Sequence, residues 1–126
     1  MTQLTPARIV ETTFGFGPAR VLQTATKLGL FSLLGKGQLT AEQIREGLGL
    51  APRAVPDFTD ALVSLGFLER EGDGPEAFYA NTAETALFLD KASPAYIGGF
   101  VEMAHDRLYR FWGDLDIALK TGESQN

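Results

Sequence analysis

The chain has no cysteine and a single histidine, His105. Those two shortages remove disulfides and thiolate metal sites and leave too few nitrogen ligands for a structural zinc. Basic side chains are also scarce, with 11 lysines and arginines against 16 aspartates and glutamates and a net charge of −5. The shortage is local: between Gln38 and Ala80, Arg45, Arg53 and Arg70 stand against Glu42, Glu46, Asp57, Asp60, Glu69, Glu71, Asp73 and Glu76. Nucleic-acid affinity comes largely from neutralised phosphates, so such a segment repels a polyanion. Long apolar runs are missing as well. The longest, Val21 to Leu34, is broken by Gln23, Lys27 and Gly29, and no basic stretch with an apolar core behind it opens the sequence. Neither a membrane span nor a signal peptide is expected, which reads as a soluble, cytoplasmic protein.

What remains is sufficient for one hydrophobic core. With 126 residues, 44% of them hydrophobic, the chain is expected to fold as one domain over residues 1–126, mainly α-helical. Thr5-Pro6 is a helix start, and Ile9, Val10 and Phe14, then Val21, Leu22, Ala25 and Leu28, keep helical spacing on either side of Gly15-Phe-Gly-Pro18. This predicts one kinked helix or two short ones, extended by Leu30–Leu34 and stopped at Gly35-Lys-Gly37. Thr40-Ala-Glu-Gln43 is a capping box that opens a helix with Ile44 and Leu48 inward and Gly49 at its end. After Leu50-Ala-Pro52 a second helix places Phe58, Ala61, Leu62 and Leu65 on one face and ends at Gly66. Two short helices across so tight a turn imply helix-turn-helix packing.

Phe67–Glu71 and Phe78–Asn81 flank Gly72-Asp-Gly-Pro75, the pattern of a small β-hairpin, which supplies a wing. The winged-helix-like core is thus expected at about 38–81, between flanking helices at about 5–34 and 82–121. Thr82 is read as the cap of a short helix ending near Leu89, and Ser93-Pro94 as the cap of a longer one in which Gly98 and Gly99 admit a second backbone. Trp112, Leu115, Ala118 and Leu119 define the face of a last helix that Gly122 ends.

Few residues are placed to carry chemistry. A helix reading the major groove needs Arg, Lys, Asn or Gln toward base edges, whereas the second helix offers Arg53, Asp57, Thr59, Asp60 and Ser64. Neither Gly15-Phe-Gly17 nor Gly35-Lys-Gly37 completes a nucleotide-binding loop. Asp114 and Asp116 point to different sides of a helix, and His105 has no serine or cysteine motif beside it. The aromatic and sulfur side chains outside the wing are more numerous than its core needs: Phe14, Phe16, Tyr96, Phe100, Met103, Tyr109, Phe111 and Trp112. They serve core and dimer packing, or they line a pocket for an aromatic ligand.

Taken in order, Leu39–Gln43, Ala61–Leu68, Asn81-Thr82 through Phe88-Leu89, Pro94–Gly99 and Trp112–Gly122 resemble the N-terminal dimerisation domain of the S-adenosylmethionine-dependent small-molecule O-methyltransferases. The resemblance implies a homodimer, with helices around the wing interlocking two subunits and no DNA bound. It also implies a larger Rossmann-like catalytic domain, absent from these residues, that holds S-adenosylmethionine and the catalytic base. No cofactor-binding or catalytic residue of that family is therefore carried onto this chain, His105 included, and no cofactor is expected on it. The family's substrate pocket points here to Phe16, Met103 and Tyr109, around a small and aromatic acceptor. Two residues depart from the family's pattern. Pro56 falls inside the second helix and Thr59 replaces a larger apolar residue, so both are expected to loosen that helix. The alternative from another class is a small winged-helix transcriptional regulator.

Overall fold

The computed structural model describes residues 3–124. Helix α1 (Ala7–Thr13) is separated by one turn from α2 (Phe16–Leu28), so the first apolar stretch forms two helices. Thr5 accepts the Ala7 amide through Oγ1 at 3.3 Å, just ahead of α1. Helix α3 (Leu30–Leu34) follows, then the short strand β1 (Leu39–Thr40), α4 (Ala41–Leu48) and α5 (Val55–Ser64). Strands β2 (Leu68–Glu71) and β3 (Phe78–Asn81) come next, then α6 (Ala83–Phe88), α7 (Gly98–Met103), α8 (Tyr109–Gly113) and α9 (Leu115–Thr121).

The start of α4 is fixed by its sequence. The Gln43 amide donates to Thr40 Oγ1 at 3.2 Å while the Thr40 amide donates to Gln43 Oε1 at 2.9 Å, the reciprocal capping box. Gly49 and Gly66, at φ +67° and +84°, end α4 and close the turn after α5 in the left-handed conformation that a Cβ would penalise. Behind Gly66 the Phe67 amide returns to the Leu62 carbonyl at 2.9 Å and turns the chain directly into β2. The hairpin carries a third strand that its sequence did not announce. β1 lies on the free side of β3, in the antiparallel order β1-β3-β2, with Leu39 and Arg70 on either side of Tyr79. Two residues are too short to show a period-two pattern, which is why β1 is invisible in the sequence.

The expected loosening of α5 does not occur. The helix begins at Val55, so Pro56 sits in its first turn, where a missing amide hydrogen leaves no bond unmade. Thr59 is completely buried, and its hydroxyl donates to the Val55 carbonyl at 3.0 Å with the Pro56 carbonyl 3.1 Å away. A satisfied hydroxyl occupies the space at no large cost.

The core also reaches further back than the wing. Ile44, Val55, Leu62, Leu68 and Tyr79 are buried together with Ala25, Leu30, Phe31 and Leu34. Val21 and Leu22 pack against the same cluster, so α2 and α3 both contribute to it, across the boundary expected near residue 38. Leu65, expected inward, is instead exposed at the C-terminal end of α5. The segment from Asn81 locks the flanks together. Asn81 Nδ2 donates to the Phe31 carbonyl at 2.9 Å, and Thr82 and Thr85 cap α6 reciprocally.

Three expectations about the C-terminal third are corrected. Ser93-Pro94 does not open a long helix: Ser93 Oγ accepts the Ala95 amide in a local turn, and α7 starts at Gly98. The Ile97 amide is drawn back to the Phe88 carbonyl at 2.8 Å, which holds that turn against α6. Gly98 leaves room for the Tyr96 ring of its own chain, into which a Cβ would run, and not for a second backbone, whereas at Gly99 nothing in the chain lies within 4 Å of where a Cβ would sit. Finally, the last helix is two helices, broken at Gly113-Asp114, where the poorest non-proline helix former meets an aspartate.

Candidate functional site

Helix α7 continues into α8 through a π-helical turn, Ala104–Leu108, with right-handed helical backbone at both junctions. Such a turn inserts one residue into the helix and re-aims the side chains beyond it, and π-turns recur at functional sites. Both α7 and the π-turn pack against α2, from which Arg20 and Lys27 reach across. Lys27 Nζ donates to Asp106 Oδ2 at 2.8 Å, and the other oxygen of Asp106 meets His105 Nδ1 at 2.8 Å. The Asp106 carboxyl is held below the usual carboxylate range, first by Lys27 and then by His105, and the Lys27 ammonium is raised in return. His105 thus has a carboxylate neighbour that its sequence context did not suggest. That carboxylate is spent on a surface ion pair.

Arg20 is half-buried and lies over the Tyr109 ring, with its Cζ 4.4 Å from the ring centroid. Its Nη1 donates to the His105 carbonyl at 3.3 Å, inside the π-turn. Of the three residues singled out for a substrate pocket, Tyr109 therefore stands against α2 beneath Arg20. Phe16 is one turn before Arg20 on the same helix, 54% exposed, with its ring 6.3 Å from Phe14. Met103 closes α7, separated from Tyr109 by the π-turn and 40% exposed.

An apolar hollow that the sequence did not reveal lies elsewhere, between α2, α6 and α7. It is lined by Leu22, Phe67, Phe88, Leu89, Ile97 and Val101, and none of Phe16, Met103 and Tyr109 belongs to it. At about 220 Å³ it falls short of the roughly 300–1,000 Å³ of a small-molecule pocket. Its residues lie in four separate stretches of sequence, so only tertiary structure assembles them. Among the described residues no cluster of three or more His, Asp or Glu side chains is placed to hold a metal.

The face that would read DNA in a winged helix is occupied by its own acids. Arg45 is held by both carboxylate oxygens of Glu42, at 2.9 and 2.6 Å, with Glu46 at 3.8 Å. Arg70 lies 3.5 Å from Asp60, and the Tyr79 hydroxyl donates to the same carboxylate at 2.5 Å. Two of the three cations in this segment are thereby neutralised within the chain. Asp60 instead ties α5 to the hairpin. Burial, and then the bond to Asp60, raise the Tyr79 hydroxyl above its ordinary pKa. Raised in the fold, this group stabilises fully below about pH 10, where the unfolded tyrosine is also neutral. The stabilisation is lost as pH rises from there through the folded value. Tyr79→Phe should therefore flatten the loss of stability as pH rises above about 10, measured by urea unfolding at each pH. An unchanged alkaline slope would show that the loss arises elsewhere.

The outer surface is what sets this chain apart from a self-contained winged helix. α1 buries none of its residues, and Ile9 is 72% exposed, with Val10 and Phe14 beside it. Phe100, Leu115, Ile117 and Leu119 are likewise exposed, and Trp112 is 69% exposed. The O-methyltransferase dimerisation domain model matches residues 10–91. The chain belongs to that family. It is 41% identical over 120 residues to the tetracenomycin polyketide synthesis 8-O-methyl transferase TcmO of Streptomyces glaucescens, covering 95% of this chain and 34% of that protein. It is 34% identical over 116 residues to the N,N-dimethyltransferase OxyT of Streptomyces rimosus, covering 92% and 33%. The crystal structure of human N-acetylserotonin methyltransferase in complex with SAM superposes with a TM-score of 0.89 at 29% identity, over 98% of this chain and 37% of that one. The chain spans about a third of the length of these relatives. Among the described residues no helix of this domain is long and apolar enough to cross a membrane.

Proposed function

We propose that this domain pairs two copies of a cytoplasmic methyltransferase and forms part of the wall over its acceptor. The observation that carries the reading is the row of exposed apolar side chains on α1 and on α7 to α9. Ile9, Val10, Phe14, Phe100, Trp112 and Leu119 are all exposed, and large apolar side chains gathered on outer elements mark a contact surface. A two-fold contact covers the same surface on both copies at once. An interlocked obligate pair buries about 2,000 Å² or more.

The whole protein, on this reading, transfers a methyl group from S-adenosylmethionine to a small aromatic acceptor, with cofactor and catalytic base held by a Rossmann-like domain. The bound SAM of the human neighbour and the polyketide acceptor in TcmO's name support that chemistry. OxyT's name leaves nitrogen beside oxygen as the acceptor atom. Phe16, Met103 and Tyr109 serve as lid residues, offering apolar and aromatic surface from α2, α7 and α8. They bind and exclude water; no proton is moved by them.

Copies of this chain carrying two different affinity tags should co-purify after co-expression, and should stay together in about 1 M salt, because apolar contact is not screened. Separation in either condition contradicts the reading. The regulator reading predicts the opposite behaviour, a salt-sensitive shift of duplex DNA at nanomolar protein. The paired Arg45 and Arg70 argue against it, and no such shift is expected.

A further inference from the structure

The guanidinium of Arg20 is held in place by a ring and a backbone carbonyl. It is half-buried and stacked on the Tyr109 ring at 4.4 Å, yet among the described residues no carboxylate lies within ion-pairing distance of it. Lys27, two turns further along α2, has such a partner in Asp106. Stacking uses the face of the guanidinium and leaves its edge, the plane that carries the five N–H donors, open to other groups. One of those donors is engaged, by the His105 carbonyl at 3.3 Å. That carbonyl belongs to the π-helical turn, so the turn that re-aims Tyr109 also fixes the orientation of the fork above it.

The surroundings are aromatic. Phe16 precedes Arg20 by one helical turn and shares its face of α2, and Tyr109 forms the floor. A planar fork of donors held over a ring, with a second ring one turn away, fits a flat aromatic molecule that bears a carboxylate. The carboxylate takes the free edge of the guanidinium, and the ring lies against Phe16. We infer that Arg20 selects an acceptor carrying an anionic group, an aromatic carboxylate, over its neutral analogue. This rests on the reading of Phe16 and Tyr109 as part of the acceptor wall, and it adds a charge preference which that reading does not contain.

The test compares two probes of the same shape, 2-naphthoate and 2-naphthamide, titrated calorimetrically into this chain and into R20Q and R20K. A charge-assisted pair outweighs a neutral one by enough to separate the probes roughly tenfold in affinity. The wild-type chain is expected to bind the carboxylate about that much more tightly, R20Q to bind both alike, and R20K to keep only part of the preference because an ammonium lacks the fork. Equal binding of both probes by the wild type, no binding of either, or an undiminished preference in R20Q would overturn the inference. So would a fall in assembly mass for R20Q with no probe preference in the wild type, since Arg20 would then serve a carboxylate of the second copy. The wild-type comparison decides the matter even if R20Q folds poorly. The mass of the assembly is measured separately, so loss of the charge preference and loss of pairing are told apart.

Discussion

Phe31→Ala is expected to destabilise the fold by about 3–5 kcal/mol, a large part of the roughly 5–15 kcal/mol available to a typical domain. Phe31 is the largest of the fully buried side chains. It belongs to α3, the element that joins α2 to the winged helix, and its carbonyl accepts Asn81 Nδ2 at 2.9 Å. Removing the ring leaves a cavity lined by apolar side chains from several elements, and the packing around it collapses only partly. Urea unfolding followed by circular dichroism measures the loss. A cost below about 1 kcal/mol would mean that α3 is an appendage to the wing and not part of its core.

The second large effect concerns assembly and not the fold. Ile9→Asp combined with Phe14→Asp places a carboxylate at each of two exposed apolar positions near α1, which contributes no buried residue to its own chain. Within one chain the change therefore removes nothing that the core uses. In a pair it puts four carboxylates into an apolar contact, where each costs several kcal/mol unless it is paired. The dissociation constant of the pair should rise at least about a hundredfold, with the unfolding midpoint of the winged helix in the monomer preserved. An unchanged association would remove α1 from the contact and leave α7 to α9 as the only outer helices to form it.

The winged helix was legible because its signals are local. Thr40 and Gln43, Gly49, Gly66, and Thr82 each act within a few residues, and each falls where the sequence places it. What escaped depends on distance along the chain. β1 becomes a strand through its pairing with β3, some forty residues on, and two residues carry no pattern of their own. Thr59 is the exception, since the carbonyls that satisfy its buried hydroxyl lie only three and four residues back in its own helix, but a threonine at an apolar position does not show that it will be buried. Ser93-Pro94 has the form of a helix cap, yet the tie from Ile97 to Phe88 delays the helix to Gly98. Arg20 could not be singled out either, because its meaning comes from Tyr109 and His105, which α2 meets only in the folded chain.

The same division explains the site. Phe16, Met103 and Tyr109 are singled out by the family resemblance from a larger surplus of aromatic and sulfur side chains. Their arrangement could not be read in advance, since the π-turn between Met103 and Tyr109 changes which way the helix faces. The stretch Ala104–Leu108 shows no helix breaker, so nothing in it announces that extra residue.

The claim on which the functional account stands is that the exposed apolar helices are covered by a second copy of this chain. Light scattering on a size-exclusion column at micromolar concentration measures it directly. The account predicts twice the 13.6 kDa of one chain, with the Ile9→Asp, Phe14→Asp variant eluting at the mass of one. A wild-type mass of 13.6 kDa that persists as the concentration is raised would contradict it.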